Sequence, residues 1–100
     1  MAKAPRAPKE KPPPKQRVSF TLAAPDADAV FVAGSFCDWD TTAVALTRGR
    51  DGVWKKTVWL GPGRYEYRFF VDGRWRDDPA AAERTANEFG TENDVLHVAT

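Results

Sequence analysis

Few residues in this chain offer covalent or acid–base chemistry. Among 100 residues there is one histidine, His97, and one cysteine, Cys37. His97 falls in an alternating pattern near the C-terminal end, where a histidine is more often structural than a base. No neighbour in sequence is a nucleophile oriented for it. His97 and Cys37 together fall short of the four ligands of a structural zinc site. Asp38 and Asp40 flank Trp39, and Asp77 adjoins Asp78. Paired carboxylates suit acid–base work or calcium, but the spacing is not that of an EF-hand, and short acidic pairs in loops mostly cap turns. Gly61-Pro62-Gly63 lacks the lysine and the following helix of a phosphate loop and reads as a turn.

Aromatic residues in polar loops are more informative. Trp39 lies in Ser35-Phe36-Cys37-Asp38-Trp39-Asp40, Trp75 lies between Arg74 and Arg76, and Phe89 lies in Asn87-Glu88-Phe89-Gly90-Thr91-Glu92-Asn93. Loop aromatics among charges are often exposed, and exposed aromatics tend to mark binding surfaces. An indole with hydroxyl, amide and guanidinium neighbours suits a sugar: the C–H face of a pyranose lies on the ring while its hydroxyls take hydrogen bonds. On composition alone, Trp39 and Trp75 serve equally as such platforms or as caps on the ends of a thin sandwich.

The elements that must position these residues are strands. Val18, Phe20 and Leu22 alternate with Ser19 and Thr21, and Ala29–Ala33 is a short apolar run stopped by Gly34. Val44 and Leu46 suggest another strand. In 53–60, Trp54, Lys56, Val58 and Leu60 share one face, and Lys55, Thr57 and Trp59 share the other. Trp54 then faces the core with Tyr65, Tyr67 and Phe69, and Trp59 faces outward. Asp72-Gly73 is a strong hairpin signal, because both central residues of a type I′ turn need positive φ. It leads into Arg74–Arg76. Pro79–Ala86 suits a short helical turn, and 94–99 reads as a last strand. About seven short strands with frequent turn signals predict an all-β antiparallel sandwich.

Composition divides the chain in two. Residues 1–17 hold five of the eight prolines and six basic residues against Glu10, a net charge of +5. They read as a disordered basic tail, which proline keeps from forming a helix. Residues 18–100 hold all twelve aromatics and a net charge of −4. A mildly acidic domain with a basic tail predicts no specific nucleic-acid partner. No apolar stretch suits a signal peptide or a membrane span, and a lone cysteine makes no internal disulfide, so a reducing cytoplasm is the expected setting. One hundred residues exclude an enzyme barrel of about 250.

Three segments in order, VFVAGSFCDW (30–39), GRYEYRFFVDGRW (63–75) and GTENDVLHV (90–98), resemble the glycogen-binding module of the AMP-activated kinase β subunit. That module belongs to carbohydrate-binding family 48, an early-set, immunoglobulin-like β-sandwich. The resemblance covers roughly residues 18–99 and leaves the tail outside. It implies sugar-stacking tryptophans at Trp39 and Trp75, a basic contact at Arg68, and Phe89 where the family has a leucine that reaches towards the glucan ring. It implies a hydroxyl and an amide contact at Thr91 and Asn93. This chain departs from the pattern in three places. Arg68 offers a planar fork where the kinase module typically has lysine. Phe89 is bulkier than leucine. Asp38 stands where an asparagine is common.

The resemblance implies non-catalytic binding of α-glucans such as glycogen, starch-like chains or malto-oligosaccharides, with no cofactor, no metal and no membrane partner. The rival expectation is a protein-interaction module that docks a kinase or a glycogen-metabolism enzyme and keeps only a vestigial sugar site. Retention of both Trp39 and Trp75 favours the sugar, because a docking surface has no need of that spaced pair.

Overall fold

The computed structural model describes residues 14–99. Its strands are β1 (Gln16–Ala23), β2 (Val30–Gly34), β3 (Thr47–Arg48), β4 (Val53–Leu60), β5 (Gly63–Val71), β6 (Arg74–Arg76), β7 (Glu83–Ala86) and β8 (Glu92–Val98). They form two antiparallel sheets, one ordered β1-β4-β3 and the other β2-β5-β8-β7, with β6 paired to β5. The all-β sandwich expected from the alternating pattern is the fold observed.

The core lies between the sheets. Phe20, Leu22 and Trp54 from one sheet meet Val30, Val32, Tyr67 and Phe69 from the other. The Phe20 ring bridges the layers, with centroids 5.1 Å from Tyr67 and 6.5 Å from Phe69, both edge-on, a favourable aromatic geometry. Trp54 is buried, and its indole N–H donates to the Ala24 carbonyl at 2.8 Å. Trp59, on the opposite face of the same strand, is 59% exposed, as the period-two pattern requires.

Four expectations are corrected. Residues 83–86, expected within a helical turn, form β7, because pairing with β8 satisfies their backbone. Val44 and Leu46 form no strand of their own. That segment meets the edge of β2 through a single bridge, Phe31 to Ala45, and then crosses to the other sheet as β3. Gln16 and Arg17, expected in the tail, pair with Leu60 and Trp59 within β1. Residues 1–13 of the expected tail lie outside the described residues. Tyr65, expected in the core, is only half-buried and donates its hydroxyl to the Gly61 carbonyl at 2.7 Å.

A buried polar network fixes the segment that follows β6. Asp94 is fully buried on β8 and accepts from the Asp78 N–H at 2.8 Å and from Arg84 Nε at 3.1 Å. Tyr67 donates its hydroxyl to Asp78 at 2.6 Å. Burial pushes the Asp94 carboxyl upward from the usual carboxylate range, against the pull of the Asp78 N–H and Arg84. Burial, and then the Asp78 carboxylate, push the Tyr67 phenol upward.

Candidate functional site

The Asp72-Gly73 hairpin sets the register of the site. Asp72 and Gly73 take φ values of 49° and 82°, and Val71 pairs with Arg74 across the turn. The Asp72 carboxylate also accepts from the N–H groups of Asp28 and Ala29, each at 2.9 Å, which ties the hairpin to the start of β2. This register puts Phe70 opposite Trp75 on the outer face of the sheet, with ring centroids 5.0 Å apart.

Trp39 arrives from the other side. After β2 the chain makes a 3-10 turn, Ser35–Cys37, and then Asp38 and Trp39 both take left-handed backbone, with φ 54° and 59°. Such a conformation costs a bulky side chain about 1–3 kcal/mol and persists only where surrounding bonds hold it. Here the Trp39 N–H donates to the Gly34 carbonyl at 2.9 Å, and the Asp40 N–H donates to the Cys37 carbonyl at 3.1 Å. Gly34 is required by close approach: a side chain there would collide with the Glu66 carbonyl and come within 2.9 Å of the Tyr67 Cβ. The Glu66 N–H donates to the Ser35 hydroxyl at 3.1 Å, locking this loop to β5.

The result is a cleft of about 670 Å³ on the outer face of the β5–β8 sheet, lined by Trp39, Arg68, Trp75, Phe89, Thr91 and Asn93. All six residues singled out in the sequence therefore border one concavity. The Trp39 and Trp75 rings lie 6.3 Å apart at 70° and make two walls of a corner. Trp75 is 44% exposed, and Phe89 stands 80% exposed at the tip of the loop between β7 and β8. Trp39, which the sequence placed among exposed loop aromatics, is half-buried.

The polar side of the cleft is closely bonded. The Arg68 guanidinium lies 5.9 Å over the Trp75 ring, donates to the Thr91 hydroxyl at 3.3 Å and pairs with Asp77 at 2.8 Å. Asn93 is 8% exposed, and its amide is largely committed. It donates to Glu66 Oε1 at 2.9 Å and accepts from Asn87 Nδ2 at 3.0 Å. Hydrogen bonds from Asn93, and then Arg64, hold the Glu66 carboxyl below its ordinary range.

Sequence reasoning missed Asn87 and Glu66, and read Asp77 only as half of a turn-capping carboxylate pair. Asn87 organises the loop: its Oδ1 accepts from the N–H groups of Phe89 and Thr91 at 2.9 and 3.1 Å. Its Nδ2 donates to the Thr91 hydroxyl at 2.8 Å. An asparagine two residues before a loop tip is the signature of an Asx turn, and that signal was available. Glu66 and Asp77 carry no local signal, because each acts through a neighbouring strand. His97 stands away from the cleft and contacts Glu83 at 2.8 Å.

Fold and cleft define a small β-sandwich binding module with an aromatic-walled surface site. The chain belongs to the family of the glycogen recognition site of AMP-activated protein kinase, whose profile matches residues 18–100. It is 38% identical over 69 residues to the 5′-AMP-activated protein kinase subunit beta-2 of Homo sapiens, covering 69% of this chain and 24% of that protein. It is 37% identical over 82 residues to Protein FLOURY ENDOSPERM 6, chloroplastic, of Oryza sativa subsp. japonica, covering 82% of this chain and 15% of that protein. Protein PTST homolog 2, chloroplastic, of Arabidopsis thaliana is 37% identical over 70 residues, 70% of this chain and 13% of its own length. The chain thus spans about a quarter or less of these relatives.

Proposed function

We propose that this chain binds α-glucans without transforming them, through the Trp39–Trp75 corner. One observation carries the reading: two indoles at 70°, a third aromatic at the loop tip and a bonded set of polar groups border a single cleft. The indole faces stack on the C–H faces of successive glucosyl units. Arg68 reads hydroxyls directly, Thr91 takes one by exchanging a bond that its hydroxyl makes to Arg68 or Asn87, and Phe89 fills the concave side of a curved α-1,4 chain. Asn93 keeps one N–H and one lone pair for the sugar and otherwise holds the cleft in shape. The non-catalytic part of the reading is supported by the family, which is that of a glycogen recognition site. Affinity is modest, because a surface site buries little area and each contact replaces one with water.

Trp39→Ala and Trp75→Ala each abolish retention on glycogen in native affinity gels while the melting transition persists. Wild-type retention by both folded variants overturns the reading. A second reading, docking of a protein partner such as a kinase or an enzyme of glycogen metabolism, draws on Trp59. It is 59% exposed on the outer face of the other sheet, directly paired with Arg17. Loss of partner capture with unchanged sugar binding in Trp59→Ala is its signature.

A further inference from the structure

Arg68 is the cation of the cleft, and the cleft is built to cancel it. The Arg68 side chain is only 14% exposed, while that of its partner Asp77 is 50% exposed. The hairpin register fixes the pair. Phe69 pairs with Arg76, and one step further along the two chains stand Arg68 and Asp77. Arg68 Nε is buried without a partner, so the guanidinium is held from its outer edge by Asp77 and Thr91 and by the Trp75 ring alongside.

The surrounding charges tip the balance further. Glu66 and Glu88 line the cleft, and among the described residues the only further cation bonded to this set is Arg64, which pairs with Glu66 at 2.8 Å. Two basic and three acidic residues, counting Asp77, leave a formal charge of −1. Asp38 and Asp40 flank Trp39, while Arg74 and Arg76 alternate to the face of β6 opposite Trp75.

We infer that Asp77 is a positioning and specificity-determining residue: by pinning and neutralising Arg68 it makes the cleft select uncharged glucosyl chains and reject phosphorylated ones. The inference rests on the reading of this cleft as a glucan site. A free guanidinium recruits phosphate, since its fork matches the phosphate oxygens. Paired with Asp77, the same fork still donates hydrogen bonds to hydroxyls but offers no net charge. A phosphomonoester carries more than one negative charge at neutral pH and enters a site that is already negative.

The test is calorimetric titration of the full chain with maltoheptaose and with the same oligosaccharide carrying a single 6-phosphomonoester, at low and at physiological salt. Wild type binds the phosphorylated chain about tenfold more weakly at low salt, and the gap narrows as salt is added. Asp77→Asn closes the gap to within about threefold and weakens maltoheptaose severalfold, because Arg68 is no longer pinned. Asp77→Glu restores the discrimination, which a merely structural role would not predict. Arg68→Gln, which removes the cation and keeps a donor, widens the gap. Equal affinities in wild type, or an unchanged ratio in Asp77→Asn, overturn the inference while leaving the glucan site standing. Absence of maltoheptaose binding in wild type overturns the reading of the cleft, and the inference with it.

Discussion

Asn87→Ala tests whether the loop that carries Phe89 is held in its binding shape before a sugar arrives. The Asn87 side chain is bonded to four groups: the N–H groups of Phe89 and Thr91, the Thr91 hydroxyl and Asn93 Oδ1. The backbone bond from the Asn87 N–H to the Thr91 carbonyl, at 2.9 Å, survives the substitution. A partly exposed hydrogen bond is worth about 0.5 kcal/mol net, so the four hold the loop by about 2 kcal/mol. That corresponds to roughly a thirtyfold shift in the loop's own equilibrium. If only the ordered loop binds, the dissociation constant rises by the inverse of the ordered fraction, so thirtyfold is the ceiling. Fluorescence titration with β-cyclodextrin reads the change, and a thermal melt checks that the sandwich remains cooperative. The expected result is a weakening between about threefold and thirtyfold. Asn87→Asp keeps the two backbone acceptor contacts, loses the amide donors and falls between. Wild-type affinity in a folded Asn87→Ala protein refutes the reasoning, because the loop would then be ordered by something other than this side chain or stand outside the site.

Trp54→Ala removes a buried indole and its bond to Ala24, at a cost of about 3–5 kcal/mol, enough to unfold much of a domain this small; a guanidinium titration reads it. For pH, the depressed Glu66 carboxyl keeps its charge in the fold to lower pH than in the unfolded chain, so its anchoring of Asn93 is complete above the unfolded value of about 4.3 and is lost as pH falls through the lower folded value. The Glu66 contribution to sugar affinity is therefore constant from neutral pH to about 4.3 and falls away as pH drops through the lower folded value, and Glu66→Gln removes that part of the acid decline in a calorimetric pH series. Deleting residues 1–13, which carry four basic residues against Glu10, leaves malto-oligosaccharide affinity unchanged, since a neutral sugar offers that charge no partner; a severalfold loss in calorimetry would contradict this.

The sequence disclosed most where the physics is local. Asp72-Gly73 is legible because few residue pairs accept positive φ twice in succession, and the hairpin it forms places Trp75. The opposite facings of Trp54 and Trp59 follow from strand alternation alone. Legibility fails where a distant partner decides. Glu83-Arg84-Thr85-Ala86 has no strand signal of its own and becomes β7 through pairing with β8 and through Arg84, which reaches Asp94 at 3.1 Å and the Asp78 carbonyl at 2.7 Å. Val44 and Leu46 carry a strand pattern, but their segment changes sheets and keeps one bridge. At the site, the aromatic residues announced themselves by standing in polar loops. Asn93 illustrates the reverse: the family resemblance marks it as a ligand contact, while its burial against Glu66 and Asn87 makes much of its work internal.

β5 serves the core and the cleft on alternate residues. Its odd positions Tyr67, Phe69 and Val71 face the core, while Glu66 and Arg68 on its even positions face the cleft. The two sets are therefore free to drift independently under substitution: an exchange at an even position alters what is bound without disturbing what is packed. Length is the opposite case. One residue inserted midway along β5 would exchange the two sets, sending Phe69 into water and Arg68 into the core. Descendants of this chain can thus retune their ligand by point changes on the strand, whereas gains and losses of residues are confined to the loops that carry Trp39 and Phe89, where they change the reach of the walls and leave the floor as it is.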